Sequence, residues 1–287
     1  MTTLNQANKT FTLYSIVVFA LFFLLIWALF HHIQDVSWMP NLLQFTSDIW
    51  FDFRYGHALG ESLLVLVALF TFVSLMIYGI KDMYRQYQWN RFIKHQLSKD
   101  LTTLLNLKYE ELHFPISVLN DAELFAVTSG MFTPRIIISS CLVKSLSDNE
   151  LKAVLLHEAY HGIHYHPVKK WFLRRLSHVI MYVPMLKGLT AYYSIWIELL
   201  ADRYAIEQMR NKTYLASALV KIINHAQRST RMSPMTADFG KTAVNYRLKQ
   251  VLDLQEQLDV AYCSKKALWS SVAVGILFTS IVIVSCS

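Results

Sequence analysis

Cysteine is scarce in this chain. The three present, Cys141, Cys263 and Cys286, are scattered, which excludes a disulfide framework and any paired-cysteine metal site. They read as small apolar residues. Charge is scarce as well: 16% of residues are charged against 54% apolar, which excludes the balance of an ordinary soluble domain. Eight glycines and six prolines are few for 287 residues, and the apolar set is rich in Leu, Ile, Phe and Tyr. Disorder is thereby excluded and mainly helical structure favoured. The length permits one large domain or two small ones, with core enough to shelter a buried site.

What is present in quantity is long apolar sequence. Phe11 to Phe30 carries no charge and is long enough, as helix, to cross a hydrocarbon core of about 30 Å. A cleaved signal peptide fits less well, because the run is too long and HHIQDVSW after it offers no small-residue cleavage site. Ser62 to Ile80 is a second uncharged run of spanning length. Lys81, Arg85, Arg91, Lys94, Lys99 and Lys108 follow it, whereas His31 to Gly60 holds Arg54 alone. The positive-inside rule therefore puts the short loop outside and the segment after Ile80 in the cytoplasm. The net charge of +7 is accounted for by such juxtamembrane stops, with affinity for anionic lipid and no direct nucleic-acid role. A last run, Ala267 to Cys286, follows Lys265 and Lys266 and reads as a third span. The expected organisation is two transmembrane helices with a short outer loop in 1–80, a cytoplasmic or membrane-embedded catalytic domain in 81–266, and a transmembrane helix in 267–287. Leu176 to Leu200 is apolar but broken by Pro184, Lys187 and Gly188, which suits a buried helical hairpin or re-entrant segment better than a clean span.

The chemistry sits in the central region. Ser147-Asp148-Asn149-Glu150 has the form of a capping box and the apolar LKAVLL follows, so a helix is predicted to start there and carry His157-Glu158-Ala159-Tyr160-His161. Four residues apart, His157 and His161 share a helix face and can reach one zinc ion. Glu158 is placed to take a proton from the attacking water and pass it to the leaving amine. His-Glu-x-x-His arises by chance in roughly one such sequence in a hundred. Its position at the end of an apolar helix, where polar groups must find partners, argues against chance. A catalytic zinc needs a third protein ligand, and Glu198, in IELLADR, is the candidate. Asp202, one turn on, is expected to accept a hydrogen bond from the non-ligating nitrogen of His157 or His161. Their plainer reading is an exposed acidic pair beside Arg203.

HEAYH, the 36 residues from there to Glu198, and the ELLAD run resemble the BlaR/MecR-type integral-membrane metallopeptidases. The resemblance covers roughly Asp121 to Leu252, including Thr128 to His161 and the HYHPVKK continuation, in which His166 stands where Asp is expected. It implies a mainly α, polytopic membrane protein with a gluzincin-like zinc-peptidase domain, a helical core plus a small β-sheet. Zinc would be held by His157, His161 and Glu198, with Glu158 as base. It also implies regulated cleavage of a cytoplasmic transcriptional repressor or of the protease itself. The sensor-bearing members carry an extracytoplasmic penicillin-binding domain after the last span, so this chain is expected to be a short member, and a β-lactam receptor role is not carried over.

Ala126 to Ser140 is expected to form a strand whose free edge, near the zinc, could pair with an extended peptide. A plain core strand is the simpler alternative. For the oxyanion of the tetrahedral intermediate the donors considered are Tyr246, Arg247 and His225, with Arg247 in NYRLKQVL preferred. His164, His166 and His178 read as hydrogen-bonding histidines rather than a second metal cluster. Expected partners are a protein or peptide substrate and membrane lipid, with a homodimer as a further expectation. The rival readings are an HtpX/Ste24-like protease of quality control or peptide maturation, and a non-catalytic membrane transducer with a zinc site. Glu158 speaks against the transducer, since a structural site has no use for a base.

Overall fold

A computed structural model of the chain describes residues 2–35, 59–228, 244–251, 253, 260 and 262–285. The elements are α1 (Thr2–Asp35), α2 (Leu59–Gln96), α3 (Lys99–Lys108), a 3-10 turn (Glu110–Leu112), β1 (Ile116–Leu119), β2 (Ala126–Ser129), β3 (Arg135–Ser139), α4 (Ser140–Ser145), α5 (Asp148–Ile163), α6 (His166–Val179), α7 (Met185–Met209) and α8 (Lys212–Arg228). Helical residues 244–251 follow, and then α9 (Lys265–Ser285). The expected outer loop lies mostly at 36–58, and Cys286 at the end of the third run, outside the described residues.

Two compact units result. One comprises Met1–Asn8, Tyr84–Phe172 and Thr190–Ala261; the other Lys9–Met83, Leu173–Leu189 and Tyr262–Ser287. The second unit gathers the apolar helices. Among the described residues two helices are long and apolar enough to cross a membrane, over Gln6–Trp27 and Leu63–Gln96. Phe19 and Met76 are 76% and 68% exposed, so these helices present apolar side chains outward as well as inward. Inward, the Tyr14 hydroxyl donates to the Leu173 carbonyl at 2.8 Å, and Asp82 accepts from Arg175 Nε at 2.8 Å. α2 does not stop at Ile80, where the second apolar run ends. No glycine or proline lies between Lys81 and Gln96, so the helix continues and carries Lys81, Arg85, Arg91 and Lys94. The expected break within Leu176 to Leu200 falls at Ile180–Pro184, between α6 and α7. Lys187 and Gly188 are inside α7 instead. Gly188 is there for closeness: a Cβ on it would stand 2.6 Å from the Cys263 Cβ.

The first unit holds a three-stranded sheet of order β1-β3-β2, with β1 parallel and β2 antiparallel to β3. β3 is the central strand, buried on both faces by strict alternation. Ile136 and Ile138 pack with Ile116, Val118 and the α5 residues Leu151, Leu155 and Ala159, whereas Ile137 faces Ile93 of α2 and Leu119. Each such burial is worth about 1.5–3 kcal/mol. The single edge strand expected over Ala126 to Ser140 is corrected here. It is a hairpin, and among the described residues its edge strand is β2, not the isoleucine-rich β3. Gly130 makes the turn possible, with φ of 107° and a would-be Cβ only 2.3 Å from the Thr133 carbonyl oxygen.

Candidate metal centre

α5 begins as predicted. Ser147 is its N-cap and accepts from the Glu150 N–H, while Glu150 Oε2 accepts from the Ser147 N–H at 2.7 Å. From that start, 3.6-residue periodicity brings His157, Glu158 and His161 to one stripe of the helix. All three are buried, with 4–8% of their surface exposed. The two imidazoles meet with Nε2 atoms 3.2 Å apart. α7 supplies the third group: Glu198 Oε2 lies 3.3 Å from His157 Nε2, and Oε1 lies 3.5 Å from His161 Nε2. The three candidate ligand atoms fall within 4.8 Å of one another.

Each of these three side chains is itself held from behind. His157 Nδ1 lies 2.8 Å from Asp202 Oδ1, at an angle too bent for a straight hydrogen bond. Asp202 is wholly buried and grips Arg247 through two 2.7 Å bonds from Nε and Nη2. Arg247 Nη1 remains, 3.6 Å from Glu198 Oε2. His161 Nδ1 lies 2.8 Å from His166 Nδ1. Lys170 Nζ donates to Glu198 Oε1 at 2.7 Å. His166 and Lys170 are one helical turn apart on α6, which Tyr165, at a left-handed φ of 52°, turns back over the site.

The charges show what the donor set wants. Burial and Arg247 push the His157 pKa down, yet Asp202 and Glu198 outweigh them and hold it up at about 9. Burial resists ionisation of Glu198, but Lys170, His161 and His157 keep its carboxyl well below the usual range. Asp202 is likewise held low against burial by Arg247 and His157. The carboxylates thus demand positive charge between the imidazoles, supplied by a proton in this protein alone. Two imidazole nitrogens and a carboxylate converging on one point fit a zinc ion. His166 is pushed down to about 2 by burial and by its His161 and His164 neighbours, so it is neutral and can accept a proton bond from His161 Nδ1.

A cavity of about 380 Å³ opens on these groups, bordered by β2, α5, α6, α8 and Arg247. Thr128 of β2 reaches across: its Oγ1 is 2.6 Å from the Glu158 carbonyl and 2.8 Å from Glu158 Oε2, sharing one proton between them. Of the proposed oxyanion donors only Arg247 borders the cavity. His225 stands 3.7 Å from Glu123, and Tyr246 is not among the lining residues. His178 bonds the Arg174 carbonyl, and His164 stacks on His166 with centroids 5.5 Å apart. Nothing in the sequence assigns Lys170 a role, and His166 reads there only as a hydrogen-bonding histidine, without His161 named as its partner. The only available signal was their four-residue spacing behind the second histidine.

No curated protein sequence matches the chain closely enough to count as a relative. The model of Peptidase family M48 matches residues 88–248, more than half the chain and the whole of the arrangement above. By that match, and by a His-His-Glu cluster of the kind a metallopeptidase needs, the chain belongs to Peptidase family M48, a family of zinc metallopeptidases.

Proposed function

We propose that the protein is a membrane-bound zinc metalloendopeptidase with its active site on the cytoplasmic side, acting in regulated proteolysis of a cytoplasmic repressor or of itself. The observation that carries the catalytic part is the convergence of His157, His161 and Glu198, with Glu158 beside them and tied by Thr128 to the edge strand β2. His157, His161 and Glu198 would hold the metal, oriented by Asp202, His166 and Lys170 respectively. Bound there, zinc would supply Lewis-acid polarisation of the scissile carbonyl and a more acidic water. Glu158 takes the proton of the attacking water and returns it to the leaving amine. An extended peptide pairs along β2, and Arg247, through the nitrogen Asp202 leaves unused, faces the developing oxyanion. Membrane attachment rests on the two apolar helices, and sidedness on the basic residues after Ile80.

A second reading, HtpX/Ste24-like processing of membrane proteins, is favoured by the apolar walls of the cavity. The test begins with zinc content and proteolysis on detergent-solubilised protein. Wild type should hold about one zinc per chain and cleave protein. Glu158→Ala should keep zinc and lose roughly 10²-fold or more in rate, and His157→Ala should lose both. Wild type without zinc, or zinc-loaded wild type no faster than Glu158→Ala, overturns the assignment. Substrates trapped on Glu158→Gln in cells then separate the two roles: a soluble DNA-binding protein supports the first, membrane proteins the second.

A further inference from the structure

The turn between β2 and β3 carries a surface that the proposed chemistry does not use. Phe132 is 84% exposed; Met131 next to it and Val127 on the preceding strand are each 39% exposed. One exposed apolar side chain is ordinary, but a group of them gathered on a turn marks an interface. The helix packed behind the hairpin shows what that interface meets. Ile93 of α2 packs with Ile137, and one turn earlier Trp89 Nε1 donates to Ser129 Oγ at 3.3 Å. Ser129 pairs with Arg135, at the turn end of the hairpin. Going back along α2 from Ile93 to Trp89 therefore leads toward the turn, and further on to Tyr87 and Tyr84, each 63% exposed. Tyr84 is about 7.5 Å of helix from Trp89, and extended chain from Ser129 carries Phe132 up to about 10 Å in the same direction. Phe132 thus reaches the level of Tyr84, which closely follows Ile80, the end of the apolar run. Tyrosine and tryptophan just past such a run are the belt of a membrane–water interface. Charge agrees. Arg85, Arg91 and Lys94 on α2 and Arg135 on β3 are exposed. The sequence holds no acidic residue between Asp82 and Asp100, or between Glu123 and Asp148.

We infer that the β2–β3 turn docks on the surface of an anionic phospholipid bilayer, with Met131 and Phe132 seated among the headgroups and the neighbouring arginines and lysine facing lipid phosphates. The inference rests on the proposed membrane attachment and extends it from the apolar helices to the sheet that borders the metal centre. Each half of the patch has its counterpart. The acid-free cations suit the negative surface potential of such a bilayer. The apolar turn suits the boundary between headgroups and acyl chains, where an exposed phenylalanine loses its contact with water.

The experiment uses the full-length protein with Cys141, Cys263 and Cys286 replaced by alanine, in nanodiscs of phosphatidylcholine and phosphatidylserine that contain doxyl-lipid quenchers. A polarity-sensitive fluorophore is attached to a single cysteine made by Thr133→Cys at the turn, by Ala122→Cys between β1 and β2 at the other end of the sheet, or by Met76→Cys on the apolar run. Lipid should quench the label at Thr133 about threefold more than that at Ala122. Phe132→Asp, and the milder Phe132→Ser, should bring the Thr133 label to the Ala122 level while leaving the Met76 label quenched. Pure phosphatidylcholine should weaken the quenching at Thr133 about twofold or more. Thr133 quenched no more than Ala122, with Met76 quenched, overturns the docking and leaves membrane attachment standing. A Thr133 label that shifts to the blue without lipid quenching reports a second copy or another protein on the turn, and also overturns it. Quenching that survives both Phe132 variants, or that is unchanged in pure phosphatidylcholine, overturns the assigned contact. An unquenched Met76 label overturns attachment and docking together.

Discussion

At the scale of single residues, Asp202 serves two masters. It accepts two bonds from Arg247 and backs His157, all without exposure to water. Removing it strips a buried guanidinium of its two hydrogen bonds, leaving it only the longer contact with Glu198, and frees an imidazole to turn. Asp202→Ala is expected to cost roughly 3–5 kcal/mol of stability and to weaken zinc binding about 10–100-fold. Thermal denaturation and chelator competition measure the two; an Asp202→Ala protein that matches wild type in both would show that the acid is a bystander. Spacing made His157, His161 and Glu158 legible, because helix periodicity alone puts them on one face. Asp202 followed from Glu198 by the same rule. His166 and Lys170 did not, because their place depends on the left-handed turn at Tyr165, a tyrosine where no sequence rule asks for one.

At the scale of elements, the start of α5 fixes the site downstream. Glu150 closes the capping box and, buried, also accepts from Ser217 Oγ at 2.5 Å and Lys221 Nζ at 2.7 Å, joining α5 to α8. Burial raises its pKa, but the bonds from Lys221, Ser217 and Ser147 prevail and bring it from 4.5 to about 2. A depressed carboxyl stabilises the fold fully above its unfolded value and loses that contribution as pH falls through its folded one. Wild type should therefore exceed Glu150→Gln by about 1–3 kcal/mol at neutral pH. The difference should stay level above pH 5 and shrink between about 4.5 and 2. Denaturant titrations across that range check it, and a gap independent of pH would remove the charge from the account. The cap was readable because its four residues are contiguous. The sheet was less so: which strand lies central is decided by pairing, and IIIS suits an edge or a centre until α2 and α5 are seen to cover both its faces.

At the scale of the whole chain, metal and fold are linked. A cation that binds the native set of His157, His161 and Glu198 but not the unfolded chain stabilises by mass action. Chelation should lower the melting temperature of the detergent-solubilised protein by several degrees, about 2–4 °C per kcal/mol lost. The shift should vanish in Glu198→Ala. A melting curve indifferent to chelator would argue that the three side chains never hold an ion. The long apolar runs were visible at once, since they need no tertiary context to be seen. The division into units was hidden, because each draws on three separate stretches of chain.

Thr128 couples two parts of the proposed enzyme. Its hydroxyl fastens the strand that would receive a substrate to the carboxylate that would act on it. A peptide seated in register leaves that link undisturbed and meets a well-aimed base. One that drags β2 aside tugs Glu158 off line by the same motion. The seating of a substrate and the aim of the base would then be one event, joined through a single hydroxyl.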